Sequence, residues 1–254
     1  MVAVSHNQLS LPLTFPMKVI ASSLLKRKRS FRLDACNLML NTRGNLRIID
    51  NQSPLKAGRT LFVTNHYSAP GFSALWIAIA LAAAIPQDVH WVMTSAWTFP
   101  HHPLRRVLRR VSEQALRRIA LVYDFTLMPP MPPDPREADL RALAIRELFS
   151  LARKNPALSF ALVPEGRDFP GGILGEPPAG VGRFIFEFSK LGFEIQPVGF
   201  YSDKKSMILN FGKPFIFQDI DYEMPKANFD AMISQKIMTA IAQLLPVHLR
   251  GQYG

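Results

Sequence analysis

The stretches TLFVTNH (residues 60–66) and FALVPEGR (residues 160–167) decide the fold of this 254-residue chain. Each stretch begins as a mainly apolar run with the length of a buried β-strand. Each then ends in polar residues, Asn65 and His66 in the first stretch and Glu165 and Arg167 in the second. In α/β proteins the loops at the carboxyl ends of strands carry the chemistry. We therefore expect both polar groups to lie at the functional site.

Further strands and helices alternate around these two stretches. The remaining strand-like runs lie at residues 46–50, 90–93, 120–123, 194–200 and 208–211, and the predicted helices at residues 17–31, 71–85, 103–119, 136–154, 182–191 and 228–245. Such alternation is typical of a parallel sheet covered by helices. The prediction is an α/β fold with a largely parallel mixed sheet in a single domain over residues 41–254. Residues 1–40 form an N-terminal segment.

The composition is that of a packed but strongly basic protein. Hydrophobic residues make up 48% of the chain, and its formal net charge is +11. An excess of this size favours an anionic partner such as a membrane, a nucleic acid or a phosphorylated co-substrate, while a generally basic surface is the alternative. The single cysteine, Cys36, excludes a disulfide within the chain and fits a reducing compartment.

Two predicted helices combine apolar residues with clustered positive charge. In residues 103–119, apolar side chains recur at helical spacing while arginines occupy most other positions, and residues 17–31 contain the basic run at residues 26–29. Basic amphipathic helices are typical of membrane surfaces or polyanion binding, although solvated or domain-docked helices are equally open. Because no apolar run is long enough to span a bilayer, we expect a cytoplasmic protein, peripheral on the inner face of the membrane.

The order of the motifs resembles the glycerolipid acyltransferases of the lysophosphatidic acid acyltransferase type. The resemblance covers residues 46–214 and is carried by Asn65-His66, Pro164-Glu165-Gly166-Arg167, Gly182-Arg183-Phe184 and Phe211-Gly212-Lys213-Pro214. It implies an O-acyltransferase of phospholipid biosynthesis that moves a fatty acyl group from acyl-CoA or acyl carrier protein to a hydroxyl or amine of a (lyso)lipid. The acyl donor is then a co-substrate, and neither a resident cofactor nor a metal is expected.

The resemblance also implies roles for individual residues. His66 would be the general base that takes the proton from the acceptor as it attacks the thioester. We further hypothesise that N–H groups near Gly71 and Phe72, at the start of the following helix, stabilise the oxyanion. The implied substrate-binding residues are Asn65, Gly71, Glu165, Gly166, Arg167 and Arg183. Of these, Asn65 is expected mainly to brace its loop.

The chain departs from the family pattern at three points. The family has an aspartate five residues after the histidine, where this chain has Gly71, and the family's Pro-Glu-Gly-Thr-Arg lacks its threonine here. The arginine that ends an intermediate strand, and that binds an acceptor phosphate in the family, is also missing. Arg167 and Arg183 can compensate for it, but an ornithine-type lipid, a glycolipid or another alcohol or amine is an equally open acceptor.

Without the aspartate, another group must orient the His66 imidazole if the protein is an enzyme. A backbone carbonyl, Asp124, Glu165 or Asp168 are the alternatives. A catalytically impaired lipid-binding relative is the competing interpretation of the whole chain. Nucleic-acid binding is not expected, since the arginine-rich helix lacks interleaved aromatic residues and no known nucleic-acid module is recognisable.

Overall fold

A seven-stranded, mostly parallel sheet forms the centre of the protein in a computed structural model. The structure describes residues 11–41, 45–50, 58–69, 72, 74–99, 102–203, 206–217 and 225–254. The strands are β1 Asn45–Asp50, β2 Thr60–Thr64, β3 Val89–Thr94, β4 Thr126–Met128, β5 Ser159–Leu162, β6 Glu194–Asp203 and β7 Ser206–Phe211. Their order across the sheet is β1-β7-β6-β2-β5-β3-β4, and within it only β6 and β7 pair antiparallel.

Seven α-helices accompany these strands in the described part of the chain. They are α1 Thr14–Leu24, α2 Phe31–Asn41, α3 Leu75–Ala84, α4 Arg105–Tyr123, α5 Ala138–Lys154, α6 Val181–Lys190 and α7 Lys226–Ala242. Helix α7 contacts α6, β6 and β2, while α2 packs on α3 and α1 packs on α4. The predicted class, a single α/β domain with a largely parallel sheet, is confirmed.

The central strands β2 and β5 are completely buried, as their apolar sequences predict. All residues of both strands are buried because neighbouring strands cover their edges and helices cover the faces of the sheet. The parallel register pairs Leu61 with Phe160 and Val63 with Leu162. Each pair differs by 99 in residue number, and so do His66 and Glu165. The register therefore brings these two residues side by side just beyond the strand ends.

The N-terminal helices join the core through a buried ion-pair network. Arg29, between α1 and α2, donates two hydrogen bonds to the carboxylate of Asp34 at 2.7 and 2.5 Å, and the hydroxyl of Tyr123 donates to the same carboxylate at 2.8 Å. Asp34 is only 6% exposed. Because a buried carboxylate requires such partners, the network fixes α2 against the end of α4.

Several predicted boundaries were wrong. Residues 120–123, predicted as a strand, form the last turn of α4, which ends where Asp124 adopts a left-handed conformation (φ 61°). The short strand β4 follows instead. The single helix predicted at residues 17–31 is replaced by α1 and by the start of α2, which was not predicted. Helix α3 begins at Leu75, four residues later than expected.

None of the helices in the described ranges combines the length and the apolar character needed to cross a membrane.

We predict that Asp34→Ala lowers the free energy of unfolding by about 2 kcal/mol, because it leaves the buried Tyr123 hydroxyl and the half-buried Arg29 without their shared acceptor. Urea denaturation measures the loss. Lys28→Ala is the control: it removes the ion pair between Lys28 and Asp124, whose side chains are 61% and 74% exposed. That change should stay below about 0.5 kcal/mol. Equal effects of the two substitutions would contradict the importance of the network.

Candidate active site

The buried side chain of Glu165 joins the two loops that the sequence places at the site. One carboxylate oxygen accepts the backbone N–H of His66 at 2.5 Å, and the other accepts the backbone N–H of Gly175 at 2.7 Å. Glu165 is 0% exposed. The carboxylate therefore fixes the backbone of His66 and closes the loop of residues 165–175 at its base.

Asn65 fixes the other side of the same strand end. Its amide nitrogen donates to the carbonyl of Phe200 at 2.9 Å, and its amide oxygen accepts the N–H of Phe200 at 2.7 Å. The residue is 1% exposed. These contacts attach the end of β2 to β6, which is the bracing role expected for Asn65. Its assignment to substrate binding stays a prediction.

Glycines allow the loop of residues 165–175 to lie against the segment that follows His66. A Cβ atom at Gly172 would lie 2.9 Å from the carbonyl oxygen of Ser68 and 2.9 Å from the Tyr67 ring. At Gly175 the same atom would overlap the Phe169 ring at 2.1 Å. Larger residues at these two positions are therefore incompatible with the observed packing, which sets the position of the loop relative to His66.

This loop places Asp168 beside the His66 ring. Oδ1 of Asp168 lies 3.3 Å from Nδ1 of His66, and the two side chains are 67% and 18% exposed. Nδ1 itself is buried and has no hydrogen-bond partner among the described residues. Burial lowers the pKa of His66 below its ordinary value of 6.5, and the negative charge of Asp168 opposes this shift. The imidazole is therefore mainly neutral at pH 7 and available as a base.

Of the groups that sequence considerations leave open for orienting this ring, Asp168 is the one beside Nδ1. Asp124 ends α4 and pairs with Lys28 at 2.5 Å. Glu165 contacts the main chain of His66, as described above. Nδ1 has no hydrogen-bond partner among the described residues, although the backbone of His66 itself also raises the pKa of the ring. From the sequence, Asp168 was only one of several candidates for orienting the His66 ring, because no local pattern links residues that lie 102 positions apart.

The ionisation of Glu165 reflects its enclosure. Burial raises the pKa of Glu165 from its ordinary value of 4.5 to about 7, although the two N–H donors favour the carboxylate, and the nearby charge of Asp168 adds to the rise.

An apolar cavity of about 250 Å³ lies next to the loop of residues 165–175. The end of β5, the proline-rich segment after β4, Gly166 and the first turn of α6 contribute to its wall. Arg141 is the one charged residue among the described residues that line it, and its guanidinium donates to the carbonyl of Pro130 at 3.1 Å. The cavity can therefore take an apolar chain.

The other predicted site residues are placed as follows. Arg167 is exposed, with its guanidinium 4.7 Å from the centre of the Phe169 ring. Arg183 lies in the first turn of α6, 3.9 Å from the carboxylate of Asp230 on α7. That carboxylate also accepts the N–H groups of Gly180 and Arg183 and so caps α6. The structure does not place Arg183 beside His66.

The hypothesis of an oxyanion site near Gly71 and Phe72 is not supported at Phe72. The N–H of Phe72 already donates to the carbonyl of Ala69 at 2.9 Å. Phe72 also precedes α3, which begins at Leu75, so its N–H does not belong to the first turn of that helix. Gly71 lies outside the described residues. In the described part of the chain, no three His, Cys, Asp or Glu side chains are placed to bind a metal ion.

Comparison with known proteins gives structural matches but no match by sequence. No family model matches the sequence, and no curated protein gives a significant match. A solved structure that matches is the 1-acyl-sn-glycerophosphate (LPA) acyltransferase PlsC from Thermotoga maritima, with 13% sequence identity and a TM-score of 0.48 over 88% of this chain and 87% of that chain. At this identity and TM-score, the likeness assigns no activity. A functional assignment therefore rests on the motifs and on the geometry of the site.

The raised pKa of Glu165 predicts a specific pH dependence of stability. Because the folded protein binds this proton more tightly than the unfolded chain, the resulting stabilisation is complete below about pH 4.5 and is lost as the pH rises to about 7. Glu165→Gln does not titrate. The free energy of unfolding of the wild type minus that of the variant should therefore decrease between pH 4.5 and 7, measured by urea denaturation. A constant difference over this range would show that Glu165 titrates normally.

Proposed function

We propose that this protein is an acyltransferase that moves a fatty acyl group from acyl-CoA or acyl carrier protein to a hydroxyl or amine of a lipid acceptor. The observation that carries the proposal is the position of His66 just beyond the carboxyl end of the central strand, where Glu165 holds its backbone N–H and burial keeps its imidazole largely neutral. A base placed in this way is what an acceptor needs in order to attack a thioester.

The chemistry follows from the two ring nitrogens. Since Nδ1 faces Asp168, Nε2 is the nitrogen that takes the proton from the acceptor hydroxyl. The acceptor oxygen forms a bond to the thioester carbonyl carbon, and the tetrahedral intermediate then expels the thiolate as the C–S bond breaks. The imidazolium returns its proton to the sulfur, which leaves an ester and a free thiol and restores His66.

The apolar cavity beside Gly166 provides a place for the acyl chain. Its wall is mainly apolar, so a fatty chain can occupy it. Gly166 follows Glu165 directly, so the cavity borders the loop that carries Asp168. In the described part of the chain Arg167 forms no salt bridge, and its exposed guanidinium suits an anionic acceptor headgroup.

The alternative is a lipid-binding protein without catalytic activity. The glycine at position 71, where the related motif carries an aspartate, favours this reading. A lipid-binding protein would use the same cavity and the same basic surface as the enzyme. The two functions differ only in the absence of turnover.

We predict that His66→Ala lowers acyl transfer by at least about 100-fold, because general base catalysis contributes on the order of 10²–10⁴. A labelled acyl donor offered with a mixed lipid extract measures the product. His102→Ala is the matched control, since this exposed histidine accepts only a local hydrogen bond from Leu104. Both variants should keep the melting temperature of the wild type. Binding of lipid vesicles without any product from the wild type would instead identify the lipid-binding alternative.

A cationic and apolar surface on α1 and α4, which pack on each other, holds the protein against an anionic bilayer. Leu13, Met17, Ile20 and Leu24 recur at helical spacing along α1 and are 81%, 67%, 43% and 72% exposed. On α4, Leu104, Val107 and Val111 form a similar stripe and are 59%, 57% and 61% exposed, with arginines beside them. Exposed apolar stripes flanked by positive charge suit the interface of an anionic membrane.

We predict that the double substitution Met17→Asp and Ile20→Asp weakens binding to phosphatidylglycerol-containing vesicles by tenfold or more. Each apolar side chain that enters the interface contributes roughly 1.5–3 kcal/mol, and about 1.4 kcal/mol corresponds to tenfold. Vesicle sedimentation measures binding. The control is Leu140→Asp on α5, where the leucine is 60% exposed. Equal binding by the double variant and the wild type would exclude α1 from the membrane surface.

A further inference from the structure

We propose that Asp168 is the positioning residue for His66, and that it replaces, from the loop after β5, the carboxylate that the acyltransferase motif would place at Gly71. This inference rests on the proposed function and names the group that makes His66 competent. The inference is based on the position of Asp168 in the fold. The motifs of the resemblance do not include this residue.

The first support is the contact itself. Oδ1 of Asp168 lies 3.3 Å from Nδ1 of His66, and Nδ1 is buried and makes no hydrogen bond among the described residues. A buried ring nitrogen without a partner costs free energy, and a short rotation of the exposed Asp168 side chain supplies an acceptor. With its proton on Nδ1, the ring presents the lone pair of Nε2 to the acceptor.

The second support is the construction of the loop that carries Asp168. Glu165 closes this loop by accepting the N–H of Gly175, and it also accepts the N–H of His66 beyond β2. Gly172 lets the far side of the loop contact Ser68 and Tyr67 closely. Asp168 is therefore on a segment attached directly to the backbone of the residue it would orient.

The charges around the ring are consistent with this role. Glu165, from β5, faces the backbone N–H of His66 and is held partly protonated by burial. Arg167 lies over the Phe169 ring, and Asp124 pairs with Lys28 at the end of α4. Asp168 is thus the carboxylate that stabilises the imidazolium formed when His66 accepts a proton. Because Asp168 is 67% exposed, its contribution should be smaller than that of the buried aspartate of a serine-protease triad, whose loss lowers the rate by about 10⁴.

The decisive experiment compares acyl transfer by the wild type, Asp168→Asn and the matched control Asp139→Asn on α5. We expect Asp168→Asn to lower kcat about 10- to 100-fold with KM nearly unchanged, and Asp139→Asn to have no effect. In the His66→Ala background, Asp168→Asn should cause no further loss, because residues that act as one unit are not additive. An unchanged kcat in Asp168→Asn, in a wild type that transfers acyl groups, would overturn the inference while leaving the proposed function intact.

A second readout does not need turnover. The charge of Asp168 raises the pKa of His66 against the effect of burial, so its removal should lower the pKa further. NMR titration of the His66 ring in ¹⁵N-histidine-labelled protein should show a shift to lower pH in Asp168→Asn and none in Asp139→Asn. The acid limb of the kcat profile should move in the same direction. If the His66 titration is the same in Asp168→Asn and in the wild type, the inference is overturned. If the titration shifts in the variant but the wild type transfers no acyl group, the contact is supported and the proposed function is refuted.

Discussion

The buried carboxylate of Glu165 is the interaction on which the site depends. It satisfies two backbone N–H groups that no strand or helix can satisfy, one from His66 beyond β2 and one from Gly175 at the end of the loop after β5. A carboxylate buried away from water needs hydrogen-bond donors, and the two N–H groups in the loops need an acceptor. This shared acceptor therefore links the backbone of His66 directly to the loop that carries Asp168, in addition to the packing of Gly172 against Ser68 and Tyr67.

Sheet topology makes this arrangement possible. Strands β5 and β6 flank β2 on its two sides, and all three run in the same direction, so their carboxyl ends open at one edge. Asn65 attaches this edge to β6, while Glu165 attaches it to the loop after β5. The central strands are too buried to carry chemistry themselves, and the chemistry is therefore confined to the first residues beyond their ends.

The sequence predicted those parts of the fold whose physical signal is local. The buried strands β2 and β5 are apolar runs of strand length, whereas their register is visible only in the structure. The run at residues 120–123 was misassigned because its apolar residues fit a buried strand as well as the buried side of a helix. Helix α2 was missed because it is weakly amphipathic and buries Asp34, whose partners lie in other elements. Asp168 could not be selected, since its contact with His66 depends on a loop conformation and not on spacing.

Native-state hydrogen exchange of the backbone amides of His66 and Gly175, followed by NMR, tests the central claim most directly. Both amides lie in loops, yet both donate to a carboxylate that is 0% exposed. They should therefore exchange slowly and with similar protection, because one opening event releases both from the shared acceptor. Rapid exchange of either amide, at the rate of an exposed loop, would contradict a site organised by Glu165.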